Sequence, residues 1–222
     1  MLPRVASPVP RDHNLSLQTC SPAPRPVPRY PRPMYAGFLD LAHPLHWIVD
    51  DALPADRCAA YVAKMQRSRG ELAPIVGRDG KPLIEPATRN NTRLMWDDAD
   101  EAAALLAHVR PAVPTRLSGL TLVGANPRLR LYRYRPGEHH GAHWDSVVEL
   151  EGGVRSLLTL VFYLNHDFTG GATDFVEIGV QVSPQAGRAL LFQHRVMHRA
   201  CEVTAGEKFV LRTDILYAPP GP

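Results

Sequence analysis

His143-Trp144-Asp145 and a distant His198 carry the side-chain types of a metal site, and Lys208 follows ten residues after the last of them. In a β-strand, residues two apart point to the same face, so His143 and Asp145 are expected to reach one ion from a single strand. A histidine from another strand completes a facial set of two imidazoles and one carboxylate. That ligand set suits non-haem ferrous iron and leaves coordination positions open. Lys208 then offers a cation to the far carboxylate of a chelating co-substrate.

An isolated His-x-Asp is weak. Ten histidines and thirteen aspartates in this chain give about half of one such pair by chance. Its surroundings add more. Tyr132 and Tyr134 precede it on an expected strand and Pro136-Gly137 supplies a turn, so a strand–turn–strand unit presents the motif. His139 and His140 share that segment, with His140 expected at the pocket rim, and His166 sits beside the Gly170-Gly171 turn. The spacing His194-x-x-x-His198 would suggest zinc on a helix. The hydrolytic version needs glutamate after the first histidine, where this chain has Arg195, and the flanking runs are strand-like. His198 is preferred because Lys208, Val210 and Arg212 then alternate to one face, with Phe209 and Leu211 on the other. Two inward cations are costly unless anions meet them; the alternative is a solvent-facing strand with ordinary charges.

The elements that position these residues are readable in outline. His46–Asp50 reads as a strand, and Leu53-Pro54-Ala55-Asp56 opens a helix to about Arg69, stopped by Gly70, with Ala59, Tyr61, Val62 and Met65 as its stripe. Ile75-Val76 and Pro82–Ile84 flank an Asp79-Gly80 turn and suggest a hairpin. Asp97-Asp98 begins a second helix through Val109, ended by Pro111. Short strands follow at Leu129–Tyr134, His139–Asp145, Ser156–Leu164, Thr173–Val176, Ala189–Phe192, His198–Val203 and Lys208–Tyr217. Two helices before many short strands favour a sandwich or jelly roll, mainly β with supporting N-terminal helices (α+β). The expected organisation is a Pro/Arg-rich tail over 1–36 and one domain over 37–222, with helical support at 45–125 and a jelly-roll core at 126–217.

Composition bounds the rest. A chain of 222 residues, 45% hydrophobic, can bury one sizeable core. No stretch has the length of a membrane span, and the N-terminus lacks the apolar core of a secretory signal. Cys20, Cys58 and Cys201 are odd in number and widely spaced, which fits free thiols, with Cys58 and Cys201 buried, and a reducing cytoplasm. Residues 1–36 hold five arginines against Asp12 alone, so the net charge of +3 comes from the tail. The near-neutral body, without an aromatic-and-basic stripe, argues against a nucleic-acid groove and against nucleic-acid dealkylation. The tail reads as extended or disordered: a ligand for a proline-binding module, a basic tether, a dispensable leader, or sequence preceding a true start at Met34.

Tyr134-x-x-Gly137, His143-x-Asp145, Tyr163-Leu164-Asn165, Gly170-Gly171-Ala172-Thr173-x-Phe175, and His198 with Lys208 resemble the 2-oxoglutarate- and Fe(II)-dependent dioxygenases, in their prolyl 4-hydroxylase-like branch. The resemblance covers about residues 45–217. It implies a double-stranded β-helix, Fe(II), and 2-oxoglutarate and O2 as co-substrates, with ascorbate as a reductant. It implies His143, Asp145 and His198 as iron ligands and Lys208 as the partner of the distal carboxylate of 2-oxoglutarate. Tyr163 would assist that carboxylate, Tyr134 would line the pocket, and Thr173 lies in the family's Gly-Gly-Glu-Thr turn, where Ala172 departs from the glutamate. Arg212 is either a second co-substrate cation or the partner of Asp214. Arg89-Asn90-Asn91-Thr92-Arg93 is like a segment in a subset of these enzymes, which offers Arg89 and Asn91, with His140 and Thr173, to the substrate. The implied substrate is a protein side chain, prolyl or other, or a small molecule. The rival reading is a non-catalytic metal-binding jelly roll that senses or scaffolds. The residues do not set the oligomeric state.

Overall fold

The computed structural model describes residues 32, 34 and 36–221, so the tail, including Cys20, lies almost wholly outside the described residues. Helix α1 (Ala55–Arg67) follows Pro54, with Asp56 in its first turn and Lys64 and Arg67 in its last, each complementing the helix dipole. It buries Cys58, Tyr61 and Met65, spaced three and four apart. Ala59, expected in that stripe, lies one step round the helix and is exposed. The helix stops at Arg67, two residues early, because Ser68 is already extended.

Helix α2 (Ala99–Val109) is capped by Asp98, whose side chain accepts the Glu101 N–H at 2.9 Å. The Glu101 carboxylate in turn accepts from Tyr61 Oη at 2.6 Å and Trp96 Nε1 at 2.9 Å, tying α1 to α2. Among the described residues, no helix is long and apolar enough to cross a membrane.

The main sheet runs His46–Val49, Ala189–Gln193, Arg155–Tyr163, Lys208–Ala218, Arg128–Tyr134, Thr92–Asp97 and Glu71–Leu72, all antiparallel. Leu120–Ala125 pairs the far end of the Lys208–Ala218 strand. Both faces of this sheet are covered, which explains its nearly unbroken apolar runs. Leu129, Leu131, Leu158, Leu160, Phe162, Leu191, Phe209 and Leu211 share one core with the helices. The alternate positions Tyr132, Tyr134, Val161, Tyr163, Leu190, Phe192 and Val210 share the other with Phe175, Val182 and Val203. The latter come from a smaller sheet and its flanks, in the order Val180–Val182, Thr173–Phe175, His198–Ala200, His140–His143. The fold is mainly β, a jelly roll with its two helices on the outer face.

Four differences from the sequence reading matter. The strand carrying the first histidine covers His140–His143, so Asp145 lies beyond its end and is held by its N–H donating to the His194 carbonyl at 2.8 Å. The run His198–Val203 divides into His198–Ala200 and Val203–Ala205, separated as the chain passes Ala172. Thr92–Asp97, given no element in the sequence reading except Asp97 as a helix start, is a strand of the main sheet. Cys58 is buried, whereas Cys201 is only half-buried; both are free.

Candidate metal and co-substrate site

Between the sheets lies a cleft that is partly open to solvent. At one end, His143, Asp145 and His198 bring their ligand atoms within 4.8 Å of one another. Each imidazole Nε2 is 3.8 Å from an Asp145 oxygen. The other ring nitrogen is engaged: His143 Nδ1 donates to the Gly141 carbonyl at 2.8 Å and His198 Nδ1 to the Val196 carbonyl at 2.9 Å. Those bonds turn Nε2 of both rings toward the common point.

Burial lowers the pKa of both histidines, that of His143 to about 3, so both are neutral near pH 7, as a metal requires. Burial by itself would raise the Asp145 carboxyl. Arg212, then His198 and His143, outweigh it and hold the carboxyl well below its usual range. A buried anion facing two neutral nitrogen donors fits a divalent cation such as Fe(II).

Each Asp145 oxygen is also gripped from behind. Arg212 Nη1 lies 2.8 Å from Oδ1, and Thr159 Oγ1 donates to Oδ2 at 2.5 Å. Thr159 is in contact with His194 Nδ1 at 2.9 Å, and His194 Nε2 meets Ser156 Oγ at 2.9 Å. Both nitrogens of His194 are thereby taken, which removes it as a ligand. Residue types and spacing gave no sign of Thr159 and Ser156, since their roles depend on a strand that is remote in sequence. Thr159→Val is expected to lower divalent-metal affinity about 10- to 100-fold, the usual effect of losing a residue that orients a ligand. Metal titration of the variant measures it, and unchanged affinity would count against Thr159 as an orienting group.

In the same cleft sits Lys208, 2% exposed. Its Nζ donates to the Gly171 carbonyl at 2.6 Å and lies 5.0 and 5.6 Å from the Tyr134 and Tyr163 rings. Among the described residues no carboxylate is within 4.0 Å of it. Burial accordingly lowers its pKa to about 7. Gly171, at φ +65°, is required here: a Cβ would come within 3.0 Å of Lys208 Cδ and 2.9 Å of Phe168. Tyr163 Oη meets Thr173 Oγ1 at 2.7 Å beside the lysine.

Arg212 lines the same cleft but is already paired, with Asp145 at 2.8 Å and Asp214 at 3.1 Å. Of the two alternatives for it, partner of Asp214 is what the geometry contains. Tyr134 and Thr173 line the cleft, and His140 stacks on His143 with ring centroids 3.6 Å apart. Arg89 lines it too, through a β-bridge to His140. Asn91 does not; fully buried, it accepts from Arg89 Nε at 2.8 Å and positions that side chain. His139 and His166 lie away from the triad, His139 against the Ala87 carbonyl and His166 against the Ala186 N–H.

The family model of the 2OG-Fe(II) oxygenase superfamily matches residues 129–213, which hold the triad, Tyr134, Tyr163 and Lys208. A protein of Acanthamoeba polyphaga mimivirus, provisionally named a prolyl 4-hydroxylase, is 29% identical over 100 residues, 37% of this chain and 41% of its own length. The present chain thus spans less than half of that relative. A Pseudomonas putida prolyl-4-hydroxylase has a similar structure, with TM-score 0.60 and 24% identity over 82% of this chain and 99% of that one. A Trichoplax adhaerens prolyl hydroxylase, solved with a hypoxia-inducible-factor peptide fragment, gives TM-score 0.60 and 16% identity over 79% and 85%. At such identities the structural likeness speaks for the fold. Residues 129–213 thus match the 2OG-Fe(II) oxygenase superfamily and hold its metal-ligand geometry, and the chain is similar to prolyl 4-hydroxylases.

Proposed function

We propose that this chain is a hydroxylase that couples 2-oxoglutarate decarboxylation and O2 reduction, at a non-haem Fe(II) centre, to hydroxylation of an unactivated C–H bond. The observation that carries this reading is Lys208, a buried ammonium with no carboxylate partner among the described residues, in the same cleft as the His143–Asp145–His198 triad. A scaffold that only holds a metal has no use for such a cation, whose burial is costly until an anion arrives. When bound, Fe(II) with 2-oxoglutarate and O2 supplies the oxidising power, and succinate and carbon dioxide leave.

The chain's own residues bind and orient. His143, Asp145 and His198 would hold the metal, and Lys208, with Tyr163 beside it, would take the distal carboxylate of 2-oxoglutarate. Val161, Phe192 and Val210 give the cleft its apolar wall and limit water. Similarity to prolyl hydroxylases, one solved with a peptide, supports a peptidyl substrate, prolyl or another side chain. Ascorbate as reductant and a cytoplasmic setting complete the proposal, the latter on the two free cysteines among the described residues. The test is succinate release with Fe(II), ascorbate and 2-oxoglutarate across proline-rich peptides, free amino acids and small metabolites. No succinate above a metal-free control under any condition would sink it.

A pH dependence follows from Lys208. Its pKa of about 7 in the free site must rise when a carboxylate binds, so binding takes up a proton above pH 7. The expected 2-oxoglutarate affinity is flat below about pH 7 and falls by up to tenfold per pH unit above it, since one proton is linked. Anaerobic titrations from about pH 6 to 9 check this. An affinity that rises with pH would contradict it.

A further inference from the structure

We infer that Arg89 is the recognition site for a carboxylate on the substrate, placed beside the C–H bond to be oxidised; this rests on the proposed hydroxylase reading and specifies its substrate class. Arg89 is only 9% exposed and lines the cleft. Its backbone bridges to His140, whose ring is stacked on the metal ligand His143. Arg89 thus enters the cleft from a segment paired with the strand that carries the metal ligand His143.

Every other buried cation in the cleft has an assigned anion. Arg212 meets Asp145 and Asp214, and Lys208 would meet 2-oxoglutarate. Among the described residues Arg89 has uncharged partners: Nε donates to Asn91 Oδ1 at 2.8 Å, Nη1 to the Pro74 carbonyl at 3.3 Å, and the guanidinium also hydrogen-bonds Tyr132, whose ring centroid lies 4.9 Å from the guanidinium carbon. Among the described residues no carboxylate lies within 4.0 Å of it. Asn91, itself fully buried, fixes the plane of the guanidinium through Nε. A planar fork held this way is pre-organised for bidentate contact with a carboxylate.

The carboxylate could be the α-carboxylate of a free amino acid or an acidic side chain in a peptide, and the test separates the two. The Fe(II)-loaded full chain is assayed for 2-oxoglutarate turnover stimulated by L-proline against L-prolinamide. In a second arm, proline-rich peptides bearing Glu or Asp beside proline are compared with Gln or Asn counterparts. The expected result is that in one arm the carboxylate member has a kcat/KM roughly 10- to 100-fold above its amide, the range for a hydrogen bond to a charged group.

Arg89→Gln should reduce that ratio to near unity and Arg89→Lys should restore part of it. Asn91→Asp is the sharper variant: it keeps the guanidinium but gives it an internal anion, and should also erase the preference. Equal response to acid and amide, no response in either arm, or a preference that survives Arg89→Gln would each overturn the assignment. Anaerobic Fe(II)–2-oxoglutarate absorbance of the wild-type chain separates the two levels. A charge-transfer band without carboxylate preference sinks Arg89 alone, and no band sinks the hydroxylase reading with it.

Discussion

Lys208→Ala is expected to raise the apparent 2-oxoglutarate requirement by about two to three decades. The distal carboxylate would enter the cleft and find no cation. Leaving a buried charge without its partner costs roughly 3–5 kcal/mol, and each 1.4 kcal/mol is tenfold. Lys208→Met separates charge from packing, because it keeps most of the stem's volume. In the free protein, Lys208 is a buried cation set against the Gly171 carbonyl and two aromatic rings, with no carboxylate within 4.0 Å among the described residues. Removing that charge should leave the melting temperature of the free protein unchanged or raise it, while the affinity for 2-oxoglutarate collapses. Binding titrations and thermal melts of the two variants measure both effects. Normal affinity in both would take Lys208 out of the site.

Asp145→Ala should behave oppositely in the free protein. Arg212 would lose the carboxylate at 2.8 Å and keep Asp214 at 3.1 Å. Breaking a buried ion pair from one side typically costs 3–5 kcal/mol, and the remaining carboxylate argues for about 3 kcal/mol here. The Thr159 hydroxyl would also lose its acceptor. On top of this, losing a direct ligand should weaken metal binding by more than the roughly 100-fold upper range of orienting residues. Denaturant unfolding of the metal-free protein and metal titration give the two numbers separately. Metal affinity within a few-fold of wild type would mean that the carboxylate is not a ligand. Lys208 and Asp145 thus form a contrast: one charge strains the empty fold and the other holds it together.

The alternation of the Lys208–Ala218 strand was legible without coordinates. Lys208, Val210 and Arg212 do line the cleft, and Phe209 and Leu211 do enter the helical core. The reason is the two-residue period of a strand, which local sequence dictates. Helices α1 and α2 were legible through their caps and stripes, with end errors of about two residues. Thr92–Asp97 was missed because it lies toward the edge of the main sheet and is only half-buried, so its apolar run is just Leu94-Met95-Trp96 between polar residues. Asp145 was assigned to the strand of His143 because spacing cannot reveal where a strand stops. It stops here because Asp145 N–H is drawn to the His194 carbonyl, 49 residues away in sequence.

The sequence by itself determined which side-chain chemistries exist and which of them share a face, because both depend on residue type and short-range periodicity. Only the tertiary structure decided how the charges are distributed among partners. Arg212 and Lys208 are cations four residues apart on one strand face, yet one sits between two carboxylates and the other against a backbone carbonyl. His194 and His198 are likewise separated by long-range contacts, since Thr159 and Ser156 occupy both nitrogens of the first and leave Nε2 of the second toward Asp145. Ion pairs and hydrogen bonds need partners within a few ångströms, so they are set by strands that only folding brings together.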